Sequence, residues 1–393
     1  MKTLRQSPLD PAFVQNPYEF YAKVLAEDPV QFWQDYDMVA AFDAATVHAL
    51  LRDRRLGRAV PADQQKPIPD HLRAFDAVER YSMLDMEPPT HTRLRGLVLR
   101  AFTSRRIKAL TPDINAICDD LLHAFPDGPF DLIPAYCTAL PVRIIARLLG
   151  VPEEMSGELL RWSNTMVAMY QASRNRAAED AANQAAREFA EFLSGYIEKR
   201  RQAPRDDLIT HLIAAEEDGE KLTRDEMIGT CILLLNAGHE ATVHTMGNAV
   251  KALLQNEFTP DFLGDDQIAT TVEEVLRYDP PLHMFTRYAY EDIAIGQHTL
   301  KVGAQVALML GSAGRDPARF DQPDVFDPHR TPAPHAAFGG GLHFCVGAPL
   351  ARLELQIGLQ KLFRHAPKLT LTTPPAYGNT YHFHGLTELL VRL

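Results

Sequence analysis

The chain has 393 residues, 46% of them hydrophobic, and a formal net charge of −11. That apolar fraction allows a large buried core, and the acidic balance disfavours a general nucleic-acid binder, which is expected to be basic. Apolar runs such as residues 232–235 fall far short of the roughly 18–20 residues that span a bilayer; the first eleven residues carry charge and proline where a leader would be apolar, and four cysteines without paired spacing suit neither a disulfide framework nor a zinc site. The expectation is a protein of the reducing cytoplasm, without membrane or nucleic-acid partner.

Most of the chain reads as helix. Asn16-Pro17 looks like a cap with proline at the first helical position, followed by a helical apolar pattern over 18–26. Strand-like runs follow at 30–33 and 38–42, then a helix at 44–52. The polar, proline-bearing stretch 57–81 is long for a plain connection and reads as a binding loop. Helical patterns cover 90–102, 112–125, 140–149, 153–171, 175–201 and 223–254. The last contains Gly229, Gly238 and Gly247, which weaken a helix unless something must approach its backbone. A helix at 268–278 stops at Pro280-Pro281, short strands run to about 306, and an irregular stretch spans 316–334. A glycine cluster precedes a final helix at 347–365, and short strands close the chain.

The most informative segment is Phe338-Gly339-Gly340-Gly341-Leu342-His343-Phe344-Cys345-Val346-Gly347. Its glycines permit a tight turn with positive φ, and Cys345 sits just ahead of a helix whose free N–H groups and positive end favour a thiolate. Gly347 removes a side chain where a flat ligand would approach, and Phe338 can cover the sulfur. Cys118, Cys137 and Cys231 have no such surroundings and read as small buried hydrophobes. From Phe338 to Arg352 the run closely resembles the haem-binding signature of the cytochrome P-450 family.

That resemblance runs in family order along nearly the whole chain, strongest over 272–354 and weakest at 53–78 and 164–183. It implies a mainly α fold with small β-sheets: a triangular helical prism with haem between a long distal helix and the helix after the cysteine loop. Residues 1–393 would form one folding unit, with a β-rich part at about 1–60. It implies haem b with Cys345 as the metal ligand, a thiolate favouring O–O cleavage. His91, Arg95, Arg287 and His343 map to the propionate ligands, with Phe338 and Gly347 beside the cofactor. Glu274, Arg277 and Arg330 map to a buried structural network, although Glu274 and Arg277 by themselves would be a weak surface pair.

The segment Ala237-Gly238-His239-Glu240-Ala241-Thr242 resembles the family's oxygen-activating stretch, where glycine opens the helix backbone and an acid followed by an alcohol relays protons. Glu240 keeps the acid, but Ala241 stands where the alcohol belongs, and Thr242 lies about 100° further around the helix. A substrate hydroxyl or an ordered water is the expected replacement. Leu234, Ala237, Met284, Phe285 and Phe383 map to the substrate pocket, roofed by Met166, Met169 and Tyr170, with His382, His384 and Glu240 placed to orient one polar group. Apolar residues at helical spacing are ordinary core by default.

The implied activity is hydroxylation of a small apolar substrate with O2. No flavin or nicotinamide segment is recognisable, so electrons would come from a separate ferredoxin-type donor docking on Arg100, Arg105, Arg106 and Arg352. Three alternatives stay open: a peroxide-using oxygenase, a non-catalytic haem-thiolate carrier or sensor, and a haem-free helical interaction protein.

Overall fold

The structure, a computed structural model, describes residues 1–171, 173–217, 222–256 and 259–393. Its axis is the helix Arg224–Gln255. Thr223 caps it: the Thr223 side chain accepts from the Glu226 N–H, and the Glu226 carboxylate accepts from the Thr223 N–H. This reciprocal arrangement satisfies two otherwise orphaned donors. At 1.5 Å per residue the rod is about 48 Å long, and it is apolar on most sides, as a helix with neighbours all round must be. Those neighbours include Ile133–Thr138, Ala139–Leu149, Ser156–Val167, Arg176–Gln202, Ile268–Tyr278 and Ala348–His365. A Cβ at Gly238 would lie 3.1 Å from Ile145 Cδ1. Close approach of the helix Ala139–Leu149 leaves little room for a side chain at this position.

Other expected helices stand at Thr90–Ala101, Thr111–His123, Ile268–Tyr278 and Ala348–His365. Some expectations fail. Asn16 is not the N-cap of the helix Tyr18–Glu27 but the C-cap of a short helix Pro11–Gln15, itself capped by Asp10, and the Asn16 amide donates to the Glu19 carboxylate at 3.1 Å. The stretch 57–81, read as a binding loop, contains the helix Arg73–Glu79, and the helix Leu208–Glu217 was not anticipated. No helix among the described residues is long and apolar enough to cross a membrane.

The main sheet has six strands in the spatial order Thr3–Leu4, Val30–Trp33, Met38–Ala41, Gln305–Met309, Met284–Ala289, Leu56–Gly57. Met38–Ala41 pairs in parallel with Gln305–Met309 (Val39 opposite Val306), which pairs antiparallel with Met284–Ala289 (Met284 opposite Met309). The β-rich region is thus no N-terminal unit of its own, because two central strands come from beyond residue 280. One face of this sheet packs on an aromatic cluster of Phe13, Tyr21, Trp33, Phe42 and Tyr381.

Candidate active site

The loop ahead of the helix Ala348–His365 is shaped by its glycines. Gly339 and Gly341 have φ of 68° and 64°, in the left-handed region that favours glycine. A Cβ at Gly341 would also lie 2.4 Å from the Leu51 carbonyl oxygen, so the loop is pressed against a distant segment. The turn closes with the Cys345 N–H donating to the Phe338 carbonyl at 3.0 Å. Phe338 is half-buried, with the Arg352 guanidinium 4.5 Å above its ring. Cys345 is exposed, yet the surrounding protein desolvates its thiol as a buried one. Both hold if the sulfur opens onto a space enclosed by the protein. Burial pushes the thiol up, against the opposing N–H groups of Gly347 and Ala348 and the charges of Arg95 and Arg352. The N–H groups at the helix end act toward the thiolate and burial acts against it; a bound metal cation would add to the first effect.

The scaffold beneath the loop is ionic. Arg277 forks onto Glu274 with N···O distances of 2.7 and 2.8 Å and donates to the carbonyls of Gly314, Pro323 and Val325. Arg330 reaches Glu274 at 3.4 Å, and the Asp327 N–H completes the carboxylate at 2.9 Å. Glu274 and Arg277 are buried, so the pair is fully hydrogen-bonded where an unpaired charge is most costly. Sequence reading missed a second pair: Arg352 forks onto Glu273 at 2.5 and 2.9 Å, with His335 3.1 Å away. Arg352 is thereby ion-paired, with its side chain still 30% exposed.

Three cationic or polar groups point to an anionic guest. The guanidinium of Arg287 is 2% exposed, donates to the Thr286 carbonyl, and has no described carboxylate within 4 Å. Burial and the neighbouring Arg58 lower its pKa to about 10. Arg95 donates to the Phe344 carbonyl at 2.6 Å and likewise lacks a described carboxylate partner. His91 is buried with Nδ1 unpaired, and desolvation, then the charges of His343 and Arg95, lower it to about 4. Buried polar atoms are normally satisfied, so this set fits the carboxylates of a bound dianion. His343 differs from the expectation: its Nε2 is taken by Glu87 at 3.1 Å, leaving only Nδ1 for another group.

On the long helix an open stripe runs through buried surroundings. Ala237 is exposed, and Leu233, Glu240, Ala241 and His244 are partly exposed, while residues 234–236, 239, 242, 243, 245 and 246 are buried. The spacing of three to four residues is one helical face. Thr242 lies off that stripe, buried, with its hydroxyl 3.5 Å from the Gly238 carbonyl. Thr245 is also turned back, donating to the Ala241 carbonyl at 2.7 Å. Glu240 lies 3.2 Å from His244 Nε2 and 3.6 Å from His239 Nε2. Desolvation raises its pKa, but the hydrogen bond and charge of His244 and the charge of His239 outweigh that, and the carboxyl stays below its ordinary range.

The expected pocket residues divide. Ala237 lies on the open stripe and Leu234 beside it is buried. Phe383 stacks on His382 and approaches the His244 ring at 6.1 Å. Phe285 is partly buried between Gly339 and the guanidinium groups of Arg58 and Arg287. Met284 is 4% exposed and packs in the N-terminal aromatic cluster; strand alternation turns it away from Phe285, so it is core. His384 is also removed from the pocket: its Nδ1 meets Asp279 at 2.8 Å and its ring stacks on Tyr377. Asp279 also accepts from Tyr18 and Tyr377. Of the expected roof, Met166 is buried against Asn236, Met169 packs with Leu72 and Ala182, and Tyr170 donates to Glu79 at 2.5 Å.

A family model described as cytochrome P450 matches residues 153–259 and 268–367. The chain belongs to the cytochrome P450 family. It is 35% identical to the polyketide biosynthesis cytochrome P450 PksS of Bacillus subtilis, over all of both chains. It is 37% identical to the vitamin D(3) 25-hydroxylase of Pseudonocardia autotrophica, over 97% of this chain and 91% of the relative. A crystal structure of P450BioI in complex with hexadec-9Z-enoic acid ligated acyl carrier protein superposes with a TM-score of 0.92 at 35% identity, covering 97% of this chain and 100% of that one. The fold is therefore the P450 fold, and the chain is a P450 monooxygenase that uses haem b.

Proposed function

We propose that Cys345 supplies the axial thiolate of the haem and that His91, Arg95 and Arg287 bind its propionates, with His343 bridging to Glu87. The observations that support this reading are the exposed Cys345, whose thiol the surrounding protein nevertheless desolvates, the buried Arg287 and half-buried Arg95 without described carboxylate partners, and the unpaired Nδ1 of His91. Haem b, when bound, supplies a redox-active iron for dioxygen chemistry, which a thiolate ligand promotes. The chain's own residues do the rest. Phe338 and Arg352 shield the cysteine loop from water. The Glu274–Arg277–Arg330 network holds the segment before that loop in place. Glu240 holds a negative charge on the open stripe, where it can accept and pass on protons.

The substrate we infer is a small, largely apolar molecule seated among Leu234, Ala237, Phe285 and Phe383, hydroxylated at a C–H bond. The polyketide and acyl-carrier associations in the names of two relatives support an extended acyl or polyketide-like framework. Electrons come from a separate ferredoxin-type protein in the cytoplasm, docking near Arg100, Arg105 and Arg106.

The deciding experiment is the spectrum of the reduced, carbon-monoxide-bound protein. Thiolate ligation predicts a strongly red-shifted main band that Cys345→Ser abolishes. Survival of that band in the serine variant would remove the assignment of Cys345.

A further inference from the structure

The stripe of the long helix that faces open space has no hydroxyl. Ala241 replaces one, and the alcohols of Thr242 and Thr245 are both turned back onto helix carbonyls. What the stripe has instead, one turn beyond Glu240, is His244. Residues four apart share a helical face, and His244 Nε2 lies 3.2 Å from Glu240 Oε1. We infer, resting on the haem-thiolate reading above, that His244 is the proton partner of Glu240 and replaces the missing alcohol as the relay group of this stripe.

Two further observations single out His244. The first concerns the other histidine beside Glu240. His239 is 1% exposed, its Nδ1–H is committed to the Leu235 carbonyl at 2.9 Å, and its Nε2 faces Asn164 at 3.3 Å. Burial disfavours its charged form, and both of its ring nitrogens already have partners. The second is that the fold makes room for the His244 ring. A Cβ at Gly385 would lie 1.9 Å from His244 Nδ1 and 2.3 Å from Cε1. A segment 141 positions along the chain thus omits a side chain where this imidazole sits. Phe383 closes the same side at 6.1 Å, stacked on His382. The titratable group beside the pair, among the described residues, is His239 on the same helix; His382, behind Phe383, is lowered to about 4 by burial and then the charge of Arg58.

The proton accounting is simple. Imidazolium at His244 passes its Nε2 proton to Oε1 of Glu240, leaving a neutral imidazole and a carboxylic acid. The acid releases that proton to the open stripe beside Ala237 and Ala241, and solvent returns one proton to His244. No electron moves in this step. His244 acts through Glu240 and is a positioning and proton-supplying residue.

The test uses ferric holoenzyme and two readouts. Isotope-edited infrared spectroscopy follows protonation of the Glu240 carboxyl against pH. His244→Leu and Gly385→Ala should raise its apparent pKa by about 1–2 units, since each removes a favourable neighbour of the charged form. His244→Gln, which keeps a hydrogen-bond donor, should restore part of that shift. The second readout is the share of reducing equivalents lost as hydrogen peroxide under a surrogate ferredoxin and reductase. It should rise several-fold in both His244→Leu and His244→Gln, because glutamine cannot exchange a proton. A glutamine variant that wastes no more peroxide than the parent makes His244 merely structural and overturns the inference, as does an unmoved Glu240 titration in the leucine variant. Should Gly385→Ala not fold, the two His244 variants carry the test. The carbon-monoxide spectrum, recorded on every variant, separates the two claims: loss of the thiolate band in the parent defeats the haem-thiolate reading, whereas an intact band with unmoved infrared and peroxide values defeats only the role of His244.

Discussion

Cys345 is held largely by its own loop, with its N–H on Phe338, its sulfur near the N–H groups of Gly347 and Ala348, and its turn shaped by Gly339 and Gly341. Glu240 is held in the opposite way. Its environment comes from His239 and His244 on the same helix, Asn164 on another, and Gly385 and Phe383 near the end of the chain. A site built within a dozen residues must show itself as a motif, because turn and spacing are properties of a short string. A site assembled across more than two hundred residues need not. The difference also divides the energetics. Local geometry sets where the sulfur points, while long-range packing decides which charges the distal stripe tolerates.

The comparison breaks most visibly if the cysteine loop proves independent of remote support. Arg277→Ala leaves Glu274 buried against only the longer Arg330 contact and the Asp327 N–H, and should cost about 3–5 kcal/mol, with haem retention falling in parallel. Urea denaturation and haem content measure both; a loss below about 1 kcal/mol, in the range of an exposed pair, would mean the loop stands by itself. The next largest effect separates core from pocket. Met284→Ala should destabilise by about 2–5 kcal/mol, as removal of a buried methionine side chain does. Substrate-induced changes in the haem spectrum should stay as in the parent, and a pocket-lining Met284 would alter them instead.

A third effect concerns the roof. Glu79, hydrogen-bonded by Tyr170, is raised to about 7, chiefly by desolvation, with the charges of Asp85 and Asp76 adding and Tyr170 opposing. The folded pKa exceeds the ordinary value of 4.5, so its contribution is fully present below about pH 4.5 and is lost as pH rises through about 7. Glu79→Gln should flatten that part of the stability profile and gain about 3 kcal/mol at pH 8. Thermal melts at pH 5 and pH 8 check this, and equal gains at both would refute it. The smallest effect sharpens the assignment of the anion site. Arg287→Leu should stabilise the haem-free chain by about 1 kcal/mol, since a buried cation without a carboxylate is replaced by an apolar group. The same variant should release haem faster, which transfer to an apo-globin acceptor measures.

Residue types explain which parts of the site were legible. His91, Arg95 and Arg287 stand in the sequence as ordinary polar residues, and only a family resemblance assigned them a common partner. Their unpaired state emerged from burial, which depends on everything around them. Met284 and Phe285 read alike as apolar neighbours, yet strand pairing turns them to opposite faces. His384 read as a free polar group until folding placed Asp279 beside it. His244 carried no signal in the sequence beyond its four-residue distance from Glu240.

By itself the sequence determined the elements whose causes are local. These are the long helix, the glycine turn ahead of the last helix, the cysteine that follows that turn and the acid at residue 240. Each follows from backbone freedom or helical periodicity over a few residues. Only the tertiary structure decided which charges are paired and which are left for a guest, which apolar side chains are core, and which imidazole shares a proton with Glu240. Those outcomes depend on desolvation and on contacts between segments far apart in the chain, and no short window of sequence contains both partners.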